Sequence, residues 1–93
     1  MIVGLLTVEL HVAGSRSLKD KRVVIRRIRD RLKKFNVAIS EVDHQDLWQR
    51  GALAVVTVST DQDHADRELS AAASEIERVE PGLITRTEVE FFN

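Results

Sequence analysis

The apolar residues of this chain change their spacing from two to 3.6 and back, twice, within 93 residues. Side chains alternate sides along a strand but return to the same side every 3.6 residues along a helix, so each change of period marks a new element. Residues 2–12 alternate. Ile2, Leu6, Val8, Leu10 and Val12 share one side, and Val3, Leu5, Thr7, Glu9 and His11 the other. Ala13-Gly14-Ser15-Arg16 reads as a short turn. Ser17 is placed as an N-cap, with Asp20 three residues on in a pattern like a capping box. The helix it opens runs to about Lys34, with Leu18, Val24, Ile25, Ile28, Leu32 and Phe35 as its core stripe.

Asn36 ends that helix, and Val37–Val42 reads as a second strand. Asp43–Arg50 is a connection. Gly51–Ser59 is apolar on both sides, as a central strand is. Thr60 or Asp61 caps a second helix with Ala65, Leu69, Ala72, Ile76 and Val79 inward and its acids outward, and Pro81-Gly82 stops it. Leu83–Phe92, with alternating Thr and Glu, is the last strand. The order β-α-β-β-α-β predicts a single α+β domain over 1–93, the ferredoxin-like sandwich of a four-stranded antiparallel sheet with two helices on one face. In that topology the Gly14–Arg22 turn and the Asp43–Arg50 connection lie at the same end of the sheet.

Charge is divided unevenly along the chain. Residues 1–35 hold ten Lys or Arg against three acids, and residues 36–93 hold four against twelve, beneath a net charge of −1. A basic helix on a nearly neutral protein points to an anionic partner. With 43% apolar and 31% charged residues the composition is that of a globular chain, and a chain of this length buries roughly 60% of its unfolded surface. The absence of cysteine excludes disulfides, thiolate metal sites and cysteine nucleophiles, and fits a reducing cytoplasm. The apolar start is interrupted by Glu9, so it reads as a strand rather than a signal peptide or membrane span.

Arg22, Arg26, Arg29 and Lys33 stack along the first helix at spacings of three and four, over about 16 Å. That spacing suits the phosphates of a nucleic-acid backbone. The alternative is a solvated face, or one paired with the acidic second helix. Asp20 and Asp30 fall off the row. Arg16, Ser17 and Lys19 sit where the helix start leaves backbone N–H groups free for an anion, beyond plain capping by Ser17. Trp48, the only tryptophan, could stack on a base or pack at an interface, with Arg50 beside it. Lys21 falls inside the apolar arc and needs a partner; Glu41 or Asp43 would supply one and fasten the helix to the hairpin. Glu41, Asp43, His44 and Asp46 include metal-ligand types, but alternation puts Glu41 and Asp43 on one face and His44 on the other, so no metal is expected.

Ser17-Leu-Lys-Asp-Lys-Arg22, followed by Asn36-Val-Ala-Ile-Ser-Glu-Val-Asp-His-Gln-Asp-Leu-Trp-Gln-Arg50, resembles the bacterial YlxP-like family, a domain of unknown function, over nearly the whole chain. Asp20 stands where Glu is more usual, which keeps the charge. The resemblance implies a small cytoplasmic bacterial protein of ferredoxin-like fold. It also implies genes that lie near those for translation initiation and ribosome maturation. It carries over no activity, cofactor or catalytic residue.

No serine-hydrolase elbow or P-loop is present. Strands 2–12 and 51–59 lack the aromatics with which an RNA-recognition motif stacks bases, so the open sheet is not the expected RNA platform. Acylphosphatases share the fold and use an arginine in the first turn. Arg16 matches, but Asn36 and Asn93 are the only asparagines and neither is placed to position a water. The expectation is a non-enzymatic protein without a cofactor, associated with RNA or a ribosomal subunit. A phosphate-ester or acyl-phosphate hydrolase is the catalytic alternative. A protein-interaction module and a small-anion or metabolite sensor are the others. Val3 and Leu5, with Leu53 and Val55, are expected to leave the open sheet partly apolar and to favour a homodimer.

Overall fold

Six elements follow one another in a computed structural model that describes all of residues 1–93: β1 (Ile2–His11), α1 (Leu18–Leu32), β2 (Ala38–Asp43), β3 (Arg50–Ser59), α2 (Gln62–Glu77) and β4 (Ile84–Phe92). The sheet order is β2-β3-β1-β4, and every neighbouring pair is antiparallel. This is the ferredoxin-like α+β arrangement. No helix is long and apolar enough to cross a membrane.

Local chemistry sets the helix ends. Ser17 Oγ accepts from Asp20 N at 3.1 Å, which satisfies one of the free donors of the first turn. Asp20 reaches one residue further back than a capping box does, and its Oδ2 accepts from Arg16 N at 3.0 Å. At α2 the cap is Asp61, whose Oδ1 accepts from His64 N at 2.8 Å. The chain leaves α2 through Pro81 and Gly82, and Gly82 adopts the left-handed φ of 78° that a residue without a Cβ takes most easily.

The core lies between the sheet and the two helices. Leu6, Val8, Leu10 and Val12 of the β1 segment meet Leu53 and Val55 of β3 on the covered face. Val24, Ile25, Ile28 and Leu32 of α1 and Leu69, Ala72 and Ile76 of α2 close over them. Gly4 lets Leu69 of α2 come close to the sheet, since a Cβ there would meet Leu69 Cδ1 at 3.0 Å as well as Thr57 Cγ2 of β3 at 3.3 Å.

Three expectations are corrected here. Leu53 and Val55 are not on the open face; they are fully buried beneath the helices. The register Leu5↔Val56 and Thr7↔Ala54 assigns the opposite residues, Ala54, Val56 and Val58, to the open side. Alternation between Glu41 and Asp43 also fails, because the β2–β3 pairing shifts there. Glu41 pairs with Leu53 of the covered face and Asp43 with Ala52 of the open face. Finally, not all the acids of α2 face outward: Glu75 is buried against α1.

Glu75 is where the two helices exchange charge. Arg31 Nη1 lies 3.2 Å and Lys34 Nζ 3.5 Å from its Oε1, and Arg78 Nη1 lies 3.3 Å from its Oε2. Burial alone would raise its pKa. The Arg31 hydrogen bond and the charges of Lys34 and Arg78 outweigh that and hold the carboxyl below the ordinary glutamate value. A folded-state pKa below the unfolded one gives stability that is complete above the unfolded value and disappears as pH falls through the folded value. Glu75→Gln therefore lowers the melting temperature at neutral pH. The gap to the unsubstituted protein narrows as pH drops through and below the ordinary carboxylate range, and thermal melts across acidic pH measure it.

Candidate functional site

The end of the sheet that carries both distinctive sequence segments is organised by one buried ammonium. Lys21, in the first turns of α1, is only 1% exposed. A lysine in such a place must find oxygen for each of its three N–H donors. Its Nζ lies 2.7 Å from His44 O, 3.3 Å from Gln45 O, 3.2 Å from Arg50 O and 3.0 Å from Glu41 Oε2. The cage thus takes two carbonyls from the β2–β3 connection, one from the first residue of β3 and one carboxylate from β2. Asp43 is not part of it. Its Oδ1 instead accepts from His44 N at 2.8 Å.

The connection is shaped to meet this cation. His44 has a φ of 60°, a left-handed conformation that costs a side-chain-bearing residue on the order of 1 kcal/mol. That conformation accompanies the 2.7 Å contact from its carbonyl to Lys21. The imidazole lies over the open sheet face, where Nε2 is 3.1 Å from Glu9 Oε1. Arg50 Nη2 lies 3.4 Å from the same oxygen. The β1–α1 turn closes the other side: Val12 N donates to Gln49 O at 2.8 Å, and Gln49 Nε2 donates to Ser15 O at 3.2 Å. The two loops are neighbours, as the topology required.

Around this anchor the charged side chains fall into separate groups. Arg22, Arg26 and Arg29 line a shallow depression of about 240 Å³ between α1 and β2, with Ile25 and Glu41 in its walls. None of the three is ion-paired, and Arg29 donates to the exposed edge carbonyl of Ile39 at 3.4 Å. Glu41, the acid in that wall, is already engaged by Lys21. Lys33 departs from the group, because its Nζ lies 3.2 Å from Asp30 Oδ1. Arg16 and Lys19 are exposed near the helix start, where Ser17 serves as the cap. Trp48 is 56% exposed and, with Leu47, His11, Asp46, Gln49 and Arg50, lines a depression of about 460 Å³. Next to it on the open sheet, Thr7, Glu9, Arg50, Thr85, Arg86 and Glu88 line another of about 380 Å³.

Sequence reasoning passed over Glu9 and Arg86 at this end, and considered Gln49 only as a candidate ligand contact beside Arg50, whereas its side chain ties the connection to Ser15. The signal for Glu9 was available: a carboxylate inside an otherwise apolar strand requires a cation nearby. Arg86 gave no signal, because it looks like any charged residue on an edge strand and ion-pairs locally with Glu88.

Removing the Lys21 ammonium leaves a carboxylate and three carbonyls facing each other without a donor. Lys21→Met is expected to cost about 3 kcal/mol, the scale for breaking a buried pair from one side. Urea unfolding reads that loss. The connection is expected to loosen before the rest of the fold, seen as loss of amide protection over residues 43–50 and a change in Trp48 fluorescence at denaturant concentrations where the sheet is still native.

Comparison with solved structures shows the fold. A mutant form of SnoaB, a cofactor-independent oxygenase from Streptomyces nogalater, superposes with a TM-score of 0.56 at 17% identity, covering 99% of this chain and 91% of that one. The de novo designed protein Foldit4 superposes at 0.55 with 14% identity, covering 99% and 96%. A REP-associated tyrosine transposase bound to a REP hairpin superposes at 0.52 with 14% identity, covering 98% of this chain and 56% of that one. In sequence, the uncharacterized protein YlxP of Bacillus subtilis (strain 168) is 38% identical over 94 residues, which covers 94% of this chain and 98% of that protein. A family described as "Protein of unknown function (DUF503)" matches residues 3–89. Glu9, Lys21, Glu41 and the Asp43–Arg50 connection all lie within that match, and the chain belongs to the DUF503 family, to which it brings a YlxP-like sequence.

Proposed function

We propose that this protein is a non-catalytic, cytoplasmic RNA-binding accessory factor whose phosphate contacts come from the unpaired arginines of α1. The observation that carries the reading is the partition of charge on that helix. Arg31 and Lys34 are consumed by Glu75, and Arg27 Nη2 donates to Val79 O at 3.5 Å. Arg22, Arg26 and Arg29 remain exposed on the β2 side with no carboxylate partner, at spacings of four and three residues. They span about 10 Å along the helix axis, a length that suits successive backbone phosphates. Guanidinium groups are suited to phosphate through their planar fork of donors.

Arg16, Lys19 and Trp48 lie at the loop end where α1 begins and add two exposed cations and one exposed aromatic face, whereas Arg50 there is matched by Glu9. Aromatic stacking adds affinity for unpaired bases without demanding a sequence. A ribosomal RNA target is the form of this reading that the family resemblance favours. The alternative of a small-anion sensor is less well supported, since both arginines beside the open-sheet depression are already matched by Glu9 and Glu88.

The test is binding of purified protein to small ribosomal subunits and to a structured ribosomal RNA fragment at low and moderate salt. Affinity is expected to fall with salt, with a log–log slope that drops by about two to three when Arg22, Arg26 and Arg29 all become Ala. Circular dichroism should be unchanged in that variant, because the three side chains are exposed. Absence of binding at low salt, or affinity and slope that survive the triple substitution, overturns the reading.

A further inference from the structure

The open face of the sheet has an apolar half with no third layer over it. Val3, Leu5, Val56, Val58 and Phe92 share this face, and Val58 and Phe92 are 51% and 48% exposed. The register arranges the face in rows across β2, β3, β1 and β4. One row reads Ala38, Val56, Leu5, Glu90; the next, Ser40, Ala54, Thr7, Glu88; the third, Asp43, Ala52, Glu9, Arg86. The largest apolar side chains of the face, Leu5 and Phe92, sit on β1 and β4, and its smallest, Ala38 and Ala54, on β2 and β3. The small side is hollow. Phe35, Asn36, Val37, Ala38, Val56 and Val58 line a depression of about 360 Å³ at the sheet's apolar end.

We propose that this face packs on the same face of a second copy of the chain, about a two-fold axis that runs along the strands between β1 and β3. Such an axis exchanges β1 with β3 and β4 with β2. Leu5 then lies over Val56 of the other copy, and Val3 over Val58. Phe92 lies over the hollow beside Val58 and Ala38. The charged rows also agree. Arg86 of each copy stands over Asp43 of the other, Glu90 over Ala38, Glu88 over Ser40 and Glu9 over Ala52, so no carboxylate is set against a carboxylate. Asp43 is free to take part, being 71% exposed and engaged only with the residue that follows it. Four strands about 4.8 Å apart and ten residues at about 3.3 Å make a face of roughly 600 Å² before side-chain relief, at the lower end of specific interfaces. The pair should therefore be concentration-dependent rather than permanent.

No residue of α1 takes part, so this inference and the RNA reading fail separately. Sedimentation equilibrium from micromolar to millimolar protein is expected to show a monomer–dimer equilibrium. Leu5→Glu and Val56→Glu should each raise its dissociation constant by about tenfold or more, with unchanged far-ultraviolet circular dichroism. The position of the axis is read by cross-linking, which the lack of native cysteine makes clean. Within one chain, residues 43 and 86 lie on opposite edges of the sheet, about 14 Å apart. The double variant Asp43→Cys, Arg86→Cys should form a covalent dimer with a short bis-maleimide matched to the roughly 10 Å between stacked sheets, and neither single variant should. A protein that stays monomeric into the millimolar range overturns the proposal. So does a dimer indifferent to the Leu5 and Val56 substitutions, or one that the double-cysteine variant does not cross-link.

Discussion

The Lys21 ammonium fastens the start of α1 to β2, to the β2–β3 connection and to the first residue of β3. A buried cation is tolerated only where oxygen atoms converge on it, and here they come from Glu41 of β2, from the left-handed residue His44 and Gln45 at the start of the β2–β3 connection, and from Arg50 at the start of β3. That requirement determines the path of the connection. Once the path is set, the imidazole of His44 and the guanidinium of Arg50 meet Glu9, and Gln49 is brought against the β1–α1 turn. The exposed position of Trp48 follows from the same constraint: a loop whose carbonyls turn inward toward an ammonium carries its remaining side chains outward. The surface at this end is thus a by-product of a buried electrostatic demand.

The same rule, that charge buried is charge matched, divides the basic helix into two. On its α2 side, one buried glutamate gathers Arg31, Lys34 and Arg78 and becomes more acidic for it. On its β2 side, the only nearby carboxylate, Glu41, is already taken by Lys21. Arg22, Arg26 and Arg29 are left with water as their partner. A sequence tally of ten cations in the first 35 residues overstates the available positive surface. The structure reduces it to a short ridge of three arginines and the cations around the loop end.

Much of this was legible beforehand because period and punctuation agree along the chain. The six elements, their order and the meeting of the two loops follow from spacing, caps and topology. So does the need of Lys21 for a partner, since a lysine on an apolar arc is anomalous. The side of β3 that would face solvent was not legible. Ala52 to Val56 are apolar at every position, so the strand carries no parity of its own; its phase comes from pairing with β1, where Glu9 and His11 mark the wet side. The shift in pairing after Glu41 was equally hidden, because a bulge adds a residue without changing composition. Glu75 escaped notice for a related reason: only the packing of α1 on α2 brings Arg31 and Lys34 to it.

Layering decides how the two proposed surfaces relate. The sheet is covered on one side by both helices and open on the other, so the arginine ridge lies beside α1 at the β2 edge, off the open face that carries the apolar rows. If two copies stack through their sheets, the helices form the outer layers and both ridges stay accessible. Such a pair would present two arginine ridges on opposite sides of one particle. A ridge of three arginines is a weak site alone, and two on a rigid body gain from effective concentration only where the nucleic acid can reach around or bridge. A folded RNA surface meets that condition better than a short single strand does. On both proposals together, the modest area of the sheet face and the modest length of the ridge would be consistent with each other, since each would gain from the other at concentrations where two copies pair.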